Sequence, residues 1–585
     1  DDVILQDSTG GPEDVDSLVD TPTNYGGDGG LGGQVQGNYA TLNPVNNYGL
    51  TLSNGNLDWN GGTAQRYARS TILVSSGKWY CEFTMKSTDH IPGIIGSAHL
   101  DGAGELGETH SSRFQNTGTI GYSGANSVTG GLTWSAGDIV QLYMDMDNKA
   151  IYWGVNGTLK VGHDGNTGDP TSGSSKTGAV VYTGMSGITD RISLGSWGPG
   201  ASTYGNTSVN SSVNFGQRAY QYTAPAGFKA LCTQNLHNPS KYFDVKTYTG
   251  NGGTNSVKGV GFQPELVWTK SRSNGYDNFL FDRVRSDAGT IYSYLSTNGA
   301  DGQVDYATSA LTAYNSDGFT MGGDAAMNGS NATFIAWMWD AGTASSGANT
   351  DGTINVDSGN QWVNATAGFS ITKFEGTEAA ATVGHGLNAA PELVIVKNLE
   401  TSNSNWVLWH EAIPPTSHMY LNDSSAEVTS QTTTWNSTAP TNTVFSLAAS
   451  WYSNDSGVDH IAYCWTPIQG YSAFGHYTGH GSGNNAVDGP LQYCGFRPRW
   501  LMVKPYSAGQ TWFIWDVNRN KIAYQNTSYL SAHQNNAEST YGANIVETHA
   551  NGWRTTHGEG MTGDGSTNYL WWAFAEHPFK TARAR

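Results

Sequence analysis

Carboxylates are the first place to look for chemistry in this chain. Asp145 and Asp147 stand two residues apart at the end of an alternating run, so on a strand both side chains leave the same face. Two carboxyls on one face can meet the separation of about 5–9.5 Å that glycoside hydrolysis requires. The same spacing also describes two solvent-facing residues beside a turn. Asp101, Glu105 and Glu108 share a Gly-rich stretch with His110 and Arg113. That composition suits a cation or a sugar, and it equally suits an ordinary polar loop.

Metal and nucleophile patterns are sparser. The chain has 15 His but no His-Glu-x-x-His and no Cys-x-x-Cys. His476 and His480 flank a Gly-rich turn, and His549 and His557 flank Trp553. Neither spacing supplies the closed tetrahedral set that zinc takes, so no metal ligand is assigned. Loops at Asp324–Asn331 and Thr562–Gly565 offer oxygen ligands without an EF-hand pattern, so no cofactor is expected and calcium stays open. No Gly-x-Ser-x-Gly elbow leads into a helix, and the glycines of Gly26–Gly33 open no helix after a strand. The expectation is a protein without a catalytic constellation.

Aromatic platforms remain. Of 20 Trp, most lie in repeated strand anchors and are expected in cores. Trp134, Trp197, Trp362, Trp435 and Trp451 fall outside them. Together with Glu105, His110 and Arg113 they are the candidate ligand-contact residues, because rigidly held Trp and Tyr serve both carbohydrate and protein recognition.

These residues must be positioned by strands. Pro264-Glu265-Leu266-Val267-Trp268-Thr269-Lys270 returns as Pro391-Glu392-Leu393-Val394-Ile395-Val396-Lys397 and as Pro498-Arg499-Trp500-Leu501-Met502-Val503-Lys504. Pro suits the first residue of a strand, and the apolar run reads as a strand buried on both faces. The spacings, 391 − 264 = 127 and 498 − 391 = 107, are those of small domains rather than solenoid repeats. Each copy is preceded by an aromatic strand ending in Gly (Phe243–Gly250, Phe369–Gly376, Phe474–Gly479). Each is followed by Asn278–Asp282, Asn405–His410 or Thr511–Asp516, and closes on Phe334–Trp339, His460–Trp465 or Tyr569–Phe574. Period-2 alternation of large and small residues fits sandwich strands. No segment carries helical periodicity beyond a turn or two.

Upstream, Ser76–Met85 alternates after a turn, and Gly137–Asp147 with Ala150–Gly157 forms a hairpin ending in the tight-turn pair Asn156-Gly157. Val213-Asn214-Phe215-Gly216 is a further strand. Gly77-Lys78-Trp79-Tyr80, the Gly137-Asp138-Ile139-Val140 strand with its Asn-Gly hairpin, and this closing strand together resemble the SPRY domain. The resemblance implies a bent β-sandwich that binds partners through loops and has no catalytic machinery; the Gly/Ser/Thr-rich insertion 156–211 departs from the compact pattern. The fold class expected is all-β, with tandem β-sandwich domains of the SPRY-like, concanavalin-like jelly-roll type. Expected boundaries are a Gly-rich arm or linker at 1–36, the SPRY-like sandwich at 37–235, and repeats at 236–345, 346–470 and 471–585, the second led by a linker.

Composition narrows the function classes. Charged residues are 13%, about half the usual ~25%. A net charge of −19 opposes nucleic-acid binding, and no apolar run is long enough to insert in a membrane. Cys81, Cys232, Cys464 and Cys494 are too few for a disulfide framework and are expected free and buried. Asp20–Tyr25, Gly37–Pro44, the SPRY-like module and the repeats ending Pro578–Arg585 resemble virion proteins of tailed phages, especially those of marine bacteria. The resemblance implies a virion-surface protein folded in the bacterial cytoplasm: a tail fibre or spike adhesin whose partners are other virion proteins and a bacterial surface glycan or protein. A homo-oligomer, a trimer by analogy, goes with it. The alternatives are a capsid or tail decoration protein that binds only virion subunits, and a polysaccharide depolymerase.

Overall fold

The computed structural model describes residues 39–576, apart from 62–65, 75, 97–105, 107–110, 123–124, 183–196, 204–208, 237, 287–292, 306–308, 482–488, 520–527, 542–544, 550 and 557–560. Within the described residues the chain divides into two compact units, residues 39–236 and residues 238–576. The protein is all-β: among the described residues the one α-helix is the single turn Ala325–Asn328. The arm expected at 1–36 lies outside the described residues.

In the first unit, large apolar side chains alternate along the strands and so must be covered by a second sheet. One sheet runs Leu42–Tyr48, Arg66–Ser70, Trp197–Thr203, His90–Gly96, Ser111–Phe114, Ile120–Tyr122 and Ala125–Val128. The other runs Thr158–Leu159, Ala150–Val155, Ile139–Asp145, Lys78–Thr84, Ser211–Asn214, Asp58–Asn60 and Thr51–Ser53, with Val181–Tyr182 and Lys229–Ala230 paired at its sides. Phe83, Leu142 and Trp153 from the second sheet meet Ala68, Ile94 and Phe114 from the first in one core. The Asn156-Gly157 turn has both residues at positive φ, 50° and 82°, the geometry a two-residue hairpin of this hand requires.

The second unit contains the three repeats, and each has the same wiring. The opening strand pairs with the closing strand, the closing strand with the Pro-led strand, and the Pro-led strand with the one that follows it. In the first repeat these are Phe243–Thr249, Thr333–Trp339, Leu266–Ser271 and Asn278–Asp282. In the second they are Phe369–Glu375, Asp459–Trp465, Leu393–Asn398 and Val407–His410; in the third, Ser472–Thr478, Asn568–Ala575, Pro498–Pro505 and Phe513–Asp516. A smaller antiparallel sheet accompanies each: Asn255–Lys258 with Gly318–Met321 and Leu311–Asn315, Ala381–Gly384 with Val444–Leu447, and Leu491–Tyr493 with Gly552–Thr555 and Val546–His549.

Alternation assigns the two faces of each large sheet. In the first repeat Val267, Phe279, Phe281 and Met338 pack under the small sheet, and in the third Leu501, Val503, Phe513 and Trp571 do the same. The intervening residues Leu266, Trp268, Trp337, Trp339, Trp500, Met502, Trp572 and Phe574 join Ile395, Tyr463 and Trp465 of the second repeat in one shared core. Ring pairs cross the repeat boundaries: Trp339 lies 6.3 Å from Trp465, 6.0 Å from Trp500 and 5.4 Å from Phe574. The three repeats therefore fold as sandwiches whose inner faces bury one another.

Polar contacts close the same ring. At the start of the fourth strand, Asn278 donates to the carbonyls of Ser531 and Ala532 in the third repeat. The equivalent Trp406 donates to Ser296 of the first, and Trp512 to Tyr420 and Asp423 of the second. At the strand's other end the direction reverses. Asp282 accepts from the Tyr463 hydroxyl at 2.6 Å, His410 is hydrogen-bonded to the Trp571 carbonyl at 3.2 Å, and Asp516 accepts from Trp337 Nε1 at 3.3 Å. Each repeat thus holds both neighbours.

An aromatic face on the second repeat

Of the carboxylates singled out for chemistry, Asp101, Glu105 and Glu108 lie outside the described residues, and Asp145 and Asp147 are occupied with structure. Asp145 is fully buried, pairs with Lys78 at 3.1 Å and accepts from Asn148. Asp147 accepts from the Gly77 amide at 2.6 Å and so caps the opening of the adjacent strand. Glu265 is the most displaced carboxyl: burial and the neighbouring Asp340, with which it shares a hydrogen bond, push it up to about 9. It also accepts from the Ala341 amide and lies at the base of the Pro-led strand, 3% exposed. The calcium-type loops are spent similarly. Asp324 caps the helical turn through Ala326, and Asp564 accepts from Ser566. Among the described residues no group of three or more His, Cys, Asp or Glu could hold a metal ion.

The candidate contact residues part company. Trp134, Trp197 and Trp435, expected at the surface, are 2%, 0% and 3% exposed. Trp134 donates to the Phe114 carbonyl and Trp197 heads a central strand; both belong to the core of the first unit. Trp435 sits in a loop that folds inward onto the second repeat. A Trp in a Gly/Ser/Thr loop is the residue with most apolar surface to hide, so the loops of Trp134 and Trp435 close over it. Trp362 is half-buried, with the Arg283 guanidinium 5.1 Å over its ring. Arg113 is half-buried on the strand Ser111–Phe114, and Glu105 and His110 lie outside the described residues.

Trp451 differs. It is 44% exposed, and its ring centroid lies 4.2 Å from that of Tyr452. Tyr452 continues to Tyr420 at 5.5 Å, and Tyr420 to His418 at 4.8 Å. The four rings form a ladder from solvent into the repeat. His418 anchors its foot: it is 2% exposed, shares a hydrogen bond with Thr434 at 2.9 Å, and burial brings its pKa down to about 4. The Tyr420 hydroxyl shares hydrogen bonds with Tyr452 and Asn405, and burial raises its pKa. Asn422 donates to Asn405 at 2.9 Å and accepts from the Trp406 amide at 3.0 Å. An amide pair thus borders the rings.

The loop under Trp451 is rigid for a local reason. Asn454 is fully buried, donates to the carbonyls of Ala379 and Ala448, and accepts from the Thr377 amide. Its own amide donates to Ser450, and Asn398 donates to the Trp451 carbonyl. The first repeat is built alike: Asn328 is buried, donates to Gly253 and Gly322, and its amide donates to Asp324. Superposing these bonds sets Trp451 and Tyr452 opposite Ala325 and Ala326. The scaffold therefore holds this turn with two alanines, and the aromatic pair is additional to what folding demands. Tyr452, Tyr420, His418 and Asn405 carry no motif in the sequence. The readable signal is the Trp-Tyr dipeptide in a Ser/Asn/Gly loop where the first copy has Ala-Ala.

Solved structures similar to part of this chain are SPRY domains. The SPRY domain of human HERC1 is 14% identical, with a TM-score of 0.23, covering 29% of this chain and 96% of that one. The TRIM65 PSpry domain is 10% identical, with a TM-score of 0.21, covering 32% and 93%. The sandwich assignment of the first unit is carried by its own sheet order. No curated protein matches the chain. Residues 238–578, more than half of the sequence and the whole ring of three repeats, match the family described as Domain of unknown function (DUF7483), and to that family the chain belongs.

Proposed function

We propose that this protein is an adhesin of a virion surface, a non-catalytic tail-fibre or spike component that recognises the bacterial cell. The virion assignment is supported by the sequence resemblance of its termini and repeats to tailed-phage proteins. The recognition role is supported by one observation above the others: a solvent-exposed Trp451 on a rigid loop, backed by Tyr452 and Tyr420, at a position the first repeat fills with alanine. Exposed, preorganised aromatics spend little conformational entropy on binding and are where interface energy concentrates. The net charge of −19 opposes approach to an anionic envelope, so attraction must be short-ranged or cation-assisted. In this reading the chain is a homo-oligomer, with a trimer expected by multi-angle light scattering.

The test is saturable binding of fluorescently labelled protein to bacteria, with and without EDTA, and competition with phage adsorption. Binding that blocks adsorption supports the adhesin. Correctly folded oligomer that binds no cell, yet incorporates into virions, moves the assignment to a decoration protein.

A further inference from the structure

We infer that the Trp451–Tyr452–Tyr420 face is a subsite for a neutral hexose unit of a surface polysaccharide. This rests on the adhesin reading and names its ligand class. The geometry is that of a sugar platform. The indole is 44% exposed, the Tyr452 ring backs it at 4.2 Å, and the side-chain amides of Asn405 and Asn422 stand beside Tyr420 further down the ladder. The apolar C–H face of a pyranose covers one aromatic ring, while its equatorial hydroxyls point outward to partners that both donate and accept, as the amides of Asn405 and Asn422 and the hydroxyls of Tyr420 and Tyr452 do.

Size and charge argue against the other occupants. A stable protein interface takes about 800 Å² per partner with several anchors. Among the described residues the large hydrophobics exposed by at least 36% are few: Trp451 and Val304 are the ones on the second unit besides Tyr276 and Leu491, and Trp451 stands at the head of its ladder. One exposed indole matches one sugar ring rather than a protein face. The carboxylates of Asp423, Glu400 and Asp455 stand in the same loops, and the chain carries 48 acidic against 29 basic residues. An acidic sugar or a phosphate-bearing headgroup would meet like charge there, whereas a neutral hexose meets none.

The test uses the full chain in native gels cast with soluble neutral polysaccharides (a glucan, a mannan and a galactan), together with cell binding after periodate or protease treatment. Retardation in at least one gel is expected, reduced at least tenfold by Trp451→Ala, partly restored by Trp451→Phe, and unaffected by Leu491→Ala at an exposed apolar site elsewhere. Periodate treatment of the cells should abolish binding, and protease should leave it. Absence of retardation in all three gels overturns the inference, and so does retardation that Trp451→Ala leaves unchanged. Cell binding that survives periodate and is lost to protease also overturns it, while the adhesin reading stands. Failure to bind any untreated cell removes the adhesin reading itself, and the gels then judge the platform separately.

Discussion

Asp282→Ala tests whether the three repeats are one folding unit. Asp282 is fully buried and accepts from Arg285 Nε at 2.6 Å, from the Arg285 amide at 3.0 Å, and from the Tyr463 hydroxyl at 2.6 Å. Alanine leaves the Arg285 guanidinium, whose side chain is 1% exposed, without its counter-charge. Breaking a buried pair from one side costs about 3–5 kcal/mol, and the Tyr463 hydroxyl loses its acceptor besides. That corresponds to roughly a 10²- to 10⁴-fold rise in the open population. Tyr463 belongs to the second repeat, and the core that would loosen also contains Trp500 and Trp572 of the third. Hydrogen exchange read by mass spectrometry on the full chain should therefore show faster exchange together in the strands Leu266–Ser271, Leu393–Asn398 and Pro498–Pro505, while strands of the first unit such as Lys78–Thr84 keep their protection. Loss of protection confined to the first repeat would refute the shared-core argument.

Three other outcomes follow from the same geometry. Burial lowers His410, His418, His460 and His533 to about 4, below an unfolded value near 6.5. The unfolded chain then binds more protons between about pH 4 and 6.5, so stability should fall on acidification through that window, read as a lower urea midpoint at pH 5 than at pH 7; a higher midpoint at pH 5 would contradict it. Glu265 works the other way: with its folded pKa raised to about 9, its contribution is present at low pH and lost as pH rises toward 9. Glu265→Gln should leave the melting temperature nearly unchanged at pH 5 and raise it relative to the parent at pH 9, and equal shifts at both would dismiss the shared proton. Trp406→Ala removes a fully buried ring and its bond to Ser296, and should cost about 3–5 kcal/mol in denaturant unfolding, whereas Trp451→Ala should lie within about 0.5 kcal/mol of the parent; a comparable loss from both would make Trp451 structural.

Much of the local architecture was legible in the residues. The three apolar runs are strands, although Pro opens the strand only at Pro498 and stands two residues ahead of it at Pro264 and Pro391; the Asn156-Gly157 pair is a turn, and the four Cys are free and buried as their small number implied. The candidate site was legible only at Trp451. Trp134, Trp197 and Trp435 read the same way from composition, as aromatics among Gly, Ser and Thr, yet Trp197 lies on a central strand and the loops of Trp134 and Trp435 fold inward. Exposure is a property of what packs above a residue, which no local pattern contains.

The deepest division concerns the repeats. Alternation and turn chemistry determine where strands begin, which residues share a face and that the faces are apolar, because these depend on backbone geometry within a few residues. Leu266–Ser271 is buried on both faces, and such a run reads identically whether its second face meets its own small sheet or a neighbouring repeat. Only the tertiary structure decided that Trp339, Trp465 and Trp500 meet across repeat boundaries. It also decided that Asp282 and Tyr463, 181 residues apart, form a hydrogen bond, because long-range burial is a choice among surfaces of equal hydrophobicity. That choice is made by shape and by the few polar groups, such as Asn278, Trp406 and Trp512, whose donors find acceptors in one arrangement.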